Sequence, residues 1–163
     1  MYDAAEILIF VSLGLLFAAG VAILARWSRK GAPRVAAYAL IAVSFLYVGF
    51  ALRSDNPGVW IGVEMTGVAI FGSLALLAIM GSPWFVVAGL AAQAVWAIEL
   101  HYVGTGSAFT PGPVALANAG FDAALALYVV YVVWRGAGAA KATTASAPGA
   151  MKKSLRQPKD RVQ

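Results

Sequence analysis

The chain is predicted to be all-α, a polytopic membrane protein built as a compact bundle of five transmembrane helices, N-terminus out and C-terminus in. Three observations predict this. Hydrophobic residues make up 61% of the 163 residues, mean hydropathy is +0.80, and only 12% are charged, about half the charged share of a soluble domain. Five apolar runs each have the length that crosses roughly 30 Å of hydrocarbon. The basic residues crowd onto one side of the threading those runs impose, and short loops rich in Lys and Arg stay cytoplasmic.

The first run is Ala4–Ala25, preceded by Asp3 and Glu6 and followed by Arg26, Arg29, Lys30 and Arg34. A secretory leader has the reverse order, basic before apolar, so a retained helix over about 4–27 is expected. Arg26–Arg34 reads as a basic loop with Gly31 and Pro33 as breakers. The second run, Val35–Leu52, ends in the turn sequence Arg53-Ser54-Asp55-Asn56-Pro57-Gly58. The third is Val59–Met80, interrupted by Glu64 and Thr66, and Gly81-Ser82-Pro83 turns the chain. The fourth, Trp84–Tyr102, carries Gln93 and Glu99 and leads into a loop over Gly104–Pro113. The fifth is Val114–Trp134. Residues 1–135 thus form the membrane domain. Residues 136–163, rich in Ala, Gly, Ser and Thr and then basic, read as a disordered cytoplasmic tail.

Of the twelve Lys and Arg, only Arg53 falls on the outer side. Trp27, Trp84, Tyr131 and Trp134 sit near the inner interface, and Tyr2, Trp60 and Tyr102 near the outer one, as an aromatic belt requires. The basic tail is read as an orientation signal in contact with the lipid bilayer. No groove-reading motif accompanies it, so nucleic acid is not an expected partner. Ala/Gly bias and compactness place the protein in a bacterial-type inner membrane.

The acidic residues fall the opposite way: Asp3, Glu6, Asp55, Glu64, Glu99 and Asp122 lie in the outer half, and only Asp160 lies in the tail. Glu64 comes roughly 10 Å inside Pro57, and Asp122 roughly 13 Å inside Pro113. Gln93 reaches a similar depth from the other direction. Ionisable groups inside such sequence mark a site or a structural pair. The expected ligand-binding set is Glu64, Asp122, Glu99, Gln93, Asn118, Trp60, Trp96 and Arg53, converging on an acidic pocket open to the outer face. Trp60 with Glu64, and Asn118 with Asp122, are four apart and share faces. Gln93, Trp96 and Glu99 form a slanted stripe. The only histidine, His101, is two residues from Glu99 and so about 200° round a continuing helix. The two serve one centre only if the helix unwinds near Leu100. Tyr38, Ser44 and Tyr47 read as packing and belt residues. Gly58 with Gly62, Ala88 with Ala92, and Ala115, Ala119 and Ala123 read as small residues that let the last three helices approach.

The absence of cysteine excludes disulfides and thiolate metal sites. One histidine excludes bis-His haem and three-His metal centres within a single chain. No lysine lies inside a run, so a retinal-type Schiff base has no attachment point. Three functions remain. The first is binding or transport of a small cation, amine or proton at the acidic pocket, with Trp60 and Trp96 as cation–π walls and a homo-oligomer supplying any translocation path. The second is a structural subunit whose buried carboxyls are met by a membrane protein partner. The third is a metal-dependent membrane enzyme, its ion held by His101 and Glu99 together with Glu64 and Asp122, with metal-bound water as nucleophile. Arg53 is expected to counter Glu64 or Glu99.

Overall fold

In the computed structural model, residues 2–145 are described, with side chains through Gly136. Their regular structure is all helix, with no strand among them, and five helices are long and apolar enough to span a membrane. The helices are α1 (Ala4–Trp27), α2 (Ala32–Ala51), α3 (Pro57–Met80), α4 (Trp84–Trp96) and α5 (Gly112–Ala145). A π-helical turn, Ala97–Val103, continues α4, and a 3₁₀ turn, Thr105–Ala108, follows it.

Local chemistry sets the helix starts. Asp3 accepts from the Glu6 N–H at 2.8 Å while Glu6 accepts from the Asp3 N–H at 3.0 Å, a reciprocal cap that satisfies two orphan donors of α1. Pro33 and Pro57 stand in the first turns of α2 and α3, where the missing N–H has no partner to lose. Both helices therefore begin earlier than a reading of proline as a breaker gives. Gly31, at φ +81°, supplies the left-handed residue before α2.

The described residues fall into two units, one ending at Val130 and the other beginning at Tyr131. In the first unit, α2, α3, α4 and the greater part of α5 enclose the core. In the half where α2 begins and α3 ends that core is apolar: Ala36, Ala37, Leu40, Phe71, Ala75, Ala78, Val86, Leu90, Leu125 and Val129 are all buried. Gly89 permits the closest approach there, since a methyl at that position would lie 2.5 Å from Leu40 Cδ2 and 3.3 Å from Leu74 Cβ.

Helix α1 flanks this core and buries only Gly14, Ala18 and Ala25. It meets α5 backbone to backbone. A methyl on Gly14 would overlap the Ala117 carbonyl, and one on Gly120 would press on the Val11 carbonyl. Small residues permit this closeness. The Tyr128 hydroxyl reaches the Ala22 carbonyl at 3.3 Å.

One packing expectation is corrected. Gly58, Gly62, Ala88 and Ala92 are exposed on the outer surface rather than between helices, and a methyl at either glycine would meet nothing within 4 Å. In the second unit the helix continues through Ala145, past the expected boundary at 135. The alanines of that stretch are the strongest helix formers. Arg135 donates to the Tyr131 hydroxyl at 2.7 Å. The rest of the expected tail, 146–163, lies outside the described residues.

Candidate functional site

The site is made where α4 stops being an α-helix. Gln93, Ala97 and His101 are all 0% exposed. A regular helix would let His101 drift about 80° from the Gln93 face. The π turn, closing i→i+5 bonds and so taking more residues per turn, absorbs that drift and points His101 at the core. Gly104 ends the turn. A methyl there would collide with the Glu99 and Leu100 carbonyls, so only glycine lets the chain reverse so tightly. The loop then folds back over the imidazole. Gly106 lies flat against it, with room for no side chain, since a methyl would sit 2.7 Å from His101 Nδ1.

Four side chains grip the ring. The Tyr47 ring of α2 stacks on it, centroids 4.0 Å apart and planes within 8°. Phe109 meets it edge-on at 6.1 Å, and Trp60 of α3 packs against Phe109 at 4.7 Å. Thr110 Oγ1 is 3.1 Å from Nδ1. On the other side, Nε2 is 3.4 Å from Glu64 Oε1 of α3, an ion-pair separation that falls short of hydrogen-bond geometry. Glu64 is 2% exposed and Asp122 0%.

Helix α5 adds the second carboxyl. Asn118 donates to Asp122 Oδ2 at 3.0 Å. The Tyr47 hydroxyl lies beside Asn118, within electrostatic reach of both Asp122 and Glu64. One turn from Tyr47, Ser44 Oγ lies 2.7 Å from the Leu40 carbonyl and 2.9 Å from Gln93 Oε1. The hydroxyl has one proton to give to these two acceptors. Five buried polar atoms of this cluster have no hydrogen-bond partner among the described residues: Tyr47 Oη, Glu64 Oε1, Gln93 Nε2, His101 Nε2 and Asp122 Oδ1. Each such atom costs about 1–3 kcal/mol, and a native core holds few. Concentrating all five in one cluster is the mark of a site rather than of packing.

The geometry sorts the expected residues. Glu64, Gln93, Asn118 and Asp122 come together, and His101 joins them. Trp60 stands one ring away, behind Phe109. Glu99 does not join, because the same turn that brings His101 inward leaves Glu99 exposed, in a surface groove with Val63, Val95, Trp96 and Leu100. Trp96 packs edge-on against Phe71 at 5.9 Å and over Gly67, not into the cluster. The stripe from Gln93 through Trp96 to Glu99 thus climbs out of the core. Arg53 is exposed and counters neither carboxyl, and Glu64–His101 is the only close contact between an acidic and a basic side chain among the described residues. Nor does the pocket open outward, since its side chains are buried.

The pairing of His101 with Glu99 on a metal is corrected likewise. Among the described residues no three of His, Asp or Glu are placed to hold an ion together. Tyr47, Thr110 and Phe109 were missed. Tyr47 had a signal, being three residues from Ser44 and so on its face. Thr110 and Phe109 lie in a loop, where periodicity carries no information.

The fold and cluster define a class: a five-helix protein, apolar enough to be membrane-embedded, with a histidine–carboxylate pair sealed in its core. No protein-family model, curated protein or solved structure matches the chain, so function is argued from this geometry.

Proposed function

We propose that this is an integral membrane protein, N-terminus out in a bacterial-type inner membrane, that binds and passes protons at the Glu64–His101 pair. The observation that carries the reading is this pair, buried to 2% and 0% exposure with its facing atoms 3.4 Å apart. Sealing favours the proton over a larger cation or amine. An amine would have to part the Tyr47–His101 stack, whereas a proton needs only a donor and an acceptor.

Thr110 suits the role. A hydroxyl both donates and accepts, so it bonds Nδ1 whether that nitrogen carries hydrogen or not, and the ring gains or loses a proton without moving. Asp122 and the Tyr47 hydroxyl extend the series of exchangeable positions toward α5.

The test is proton flux in liposomes under an imposed potential, read with an entrapped pH dye. Wild-type protein raises flux above empty liposomes, and Glu64→Gln lowers it by roughly tenfold or more, the scale of a lost proton-transfer group. Flux equal to empty liposomes in the wild type, or wild-type flux in Glu64→Gln, overturns the reading.

The outward-facing Gly58, Gly62, Ala88 and Ala92 favour a second reading, in which α3 and α4 present a small-residue face to another copy or to a membrane partner. The chain has no cysteine, so Gly62→Cys is a clean probe. A disulfide-linked dimer in native membranes supports self-association. Monomer alone, with no cross-linked partner band, counts against this face.

A further inference from the structure

A cavity of about 460 Å³ opens on the flank of the bundle between α1, α2 and α5, within the 300–1,000 Å³ of small-ligand sites. Its walls are apolar side chains such as Phe10, Leu13, Phe17, Val43 and Phe121. It follows α1 for about 10 Å, from Phe10 to Phe17. Its one polar contribution is Asn118, which is bonded to Asp122 and lies beside the Tyr47 hydroxyl. Asp122 Oδ1 and Tyr47 Oη, both buried, have no partner among the described residues. An apolar groove thus carries one amide part-way along its α5 wall, with unpartnered polar atoms behind it.

We infer that this groove binds a neutral lipid with a hydroxyl head, its chain along α1 and its hydroxyl on Asn118. Complementarity selects that occupant. A pure hydrocarbon leaves the amide facing an apolar wall. An ionised carboxylate would approach the Asp122 side chain, and an ammonium would carry a full charge through apolar walls at large desolvation cost. A hydroxyl is uncharged and both donates and accepts. It can give its proton to Asn118 Oδ1 and accept from the amide hydrogen not used by Asp122. The groove does not depend on proton transfer at Glu64, and the two fail separately.

The test is photolabelling of the full chain in nanodiscs with a diazirine-bearing decanol, alongside a matched hydrocarbon and a matched carboxylic acid. Label from the alcohol concentrates on Phe10–Phe17 and Val114–Phe121 and exceeds that from either analogue by about fivefold, the worth of one net hydrogen bond. Asn118→Leu removes the preference, and Asn118→Ser restores part of it. Leu13→Trp fills the groove from a position already 44% exposed, so folding is spared, and it abolishes labelling by all three probes. Label spread over all five helices in proportion to exposure, equal labelling by alcohol and hydrocarbon, or labelling that survives Leu13→Trp each overturns the inference.

Discussion

The four helices that enclose the core build two different interiors. Toward the ends where Ala36, Ala78, Val86 and Val129 lie, every buried side chain is apolar, and glycine or alanine draws the backbones together. Toward the other end the same helices bury Tyr47, Glu64, Gln93, His101, Asn118 and Asp122, and five of their polar atoms are left without partners. The first half is where stability comes from and the second is where it is given up. Real proteins break the rules of good packing mainly at functional sites, and the boundary between these interiors locates the site.

Breaking the apolar half produces the largest effect. Leu90→Ala removes a fully buried side chain and lowers unfolding free energy by about 2–5 kcal/mol, measured by denaturing-detergent titration. The ¹⁵N signals of the single histidine should be unchanged in the folded fraction. Shifted signals would show that the two halves are not separable.

The polar half responds in the opposite sense. The double substitution Glu64→Leu, His101→Phe keeps a ring against Tyr47 and removes two unpartnered polar atoms. It raises stability by about 1–4 kcal/mol, as replacing a buried ion pair by apolar groups does elsewhere, while ending proton flux. Glu64→Leu alone destabilises, because it leaves His101 without the carboxyl that faces its Nε2. A double variant less stable than the single would show that the pair holds the fold together.

Gly106→Ala probes the lid. The added methyl presses on His101 Nδ1 and the Leu100 carbonyl, costing about 1–3 kcal/mol as overpacking does, and it shifts the histidine ¹⁵N signals. Gly62→Ala, a methyl into open space, changes neither in the monomer.

The five helices were legible because hydropathy and length alone mark them, and their starts were off only where proline was read as a stop rather than as a first-turn residue. That Glu64, Gln93 and Asp122 lie at similar levels along their helices was legible too, since rise per residue is fixed. What could not be read was azimuth after a change of helix type. Sequence phase is computed at 3.6 residues per turn, and it fails from Ala97 onward, which is why Glu99 was brought inside and His101 doubted. The same limit applies to Gly58 and Gly62. Four-residue spacing says that two small residues share a face, but not whether that face looks inward.

Thr110 gives the smallest effect and the sharpest distinction between support and chemistry. Thr110→Val keeps the shape and removes the hydroxyl 3.1 Å from His101 Nδ1, leaving a buried imidazole nitrogen unpaired at about 1–3 kcal/mol. Thr110→Ser keeps the hydroxyl and loses only a methyl, so the two variants separate bonding from packing. If the hydroxyl serves proton transfer, Thr110→Val slows flux and changes the balance of the histidine ring tautomers in the ¹⁵N spectrum, and Thr110→Ser restores both. If it serves only to pack the loop over the ring, the two variants lose similar stability and leave the tautomer balance where it was. The first outcome ties the loop Gly104–Pro111 to the function of the polar half. The second makes it a cover whose chemistry is interchangeable, and leaves Glu64 and His101 to act without it.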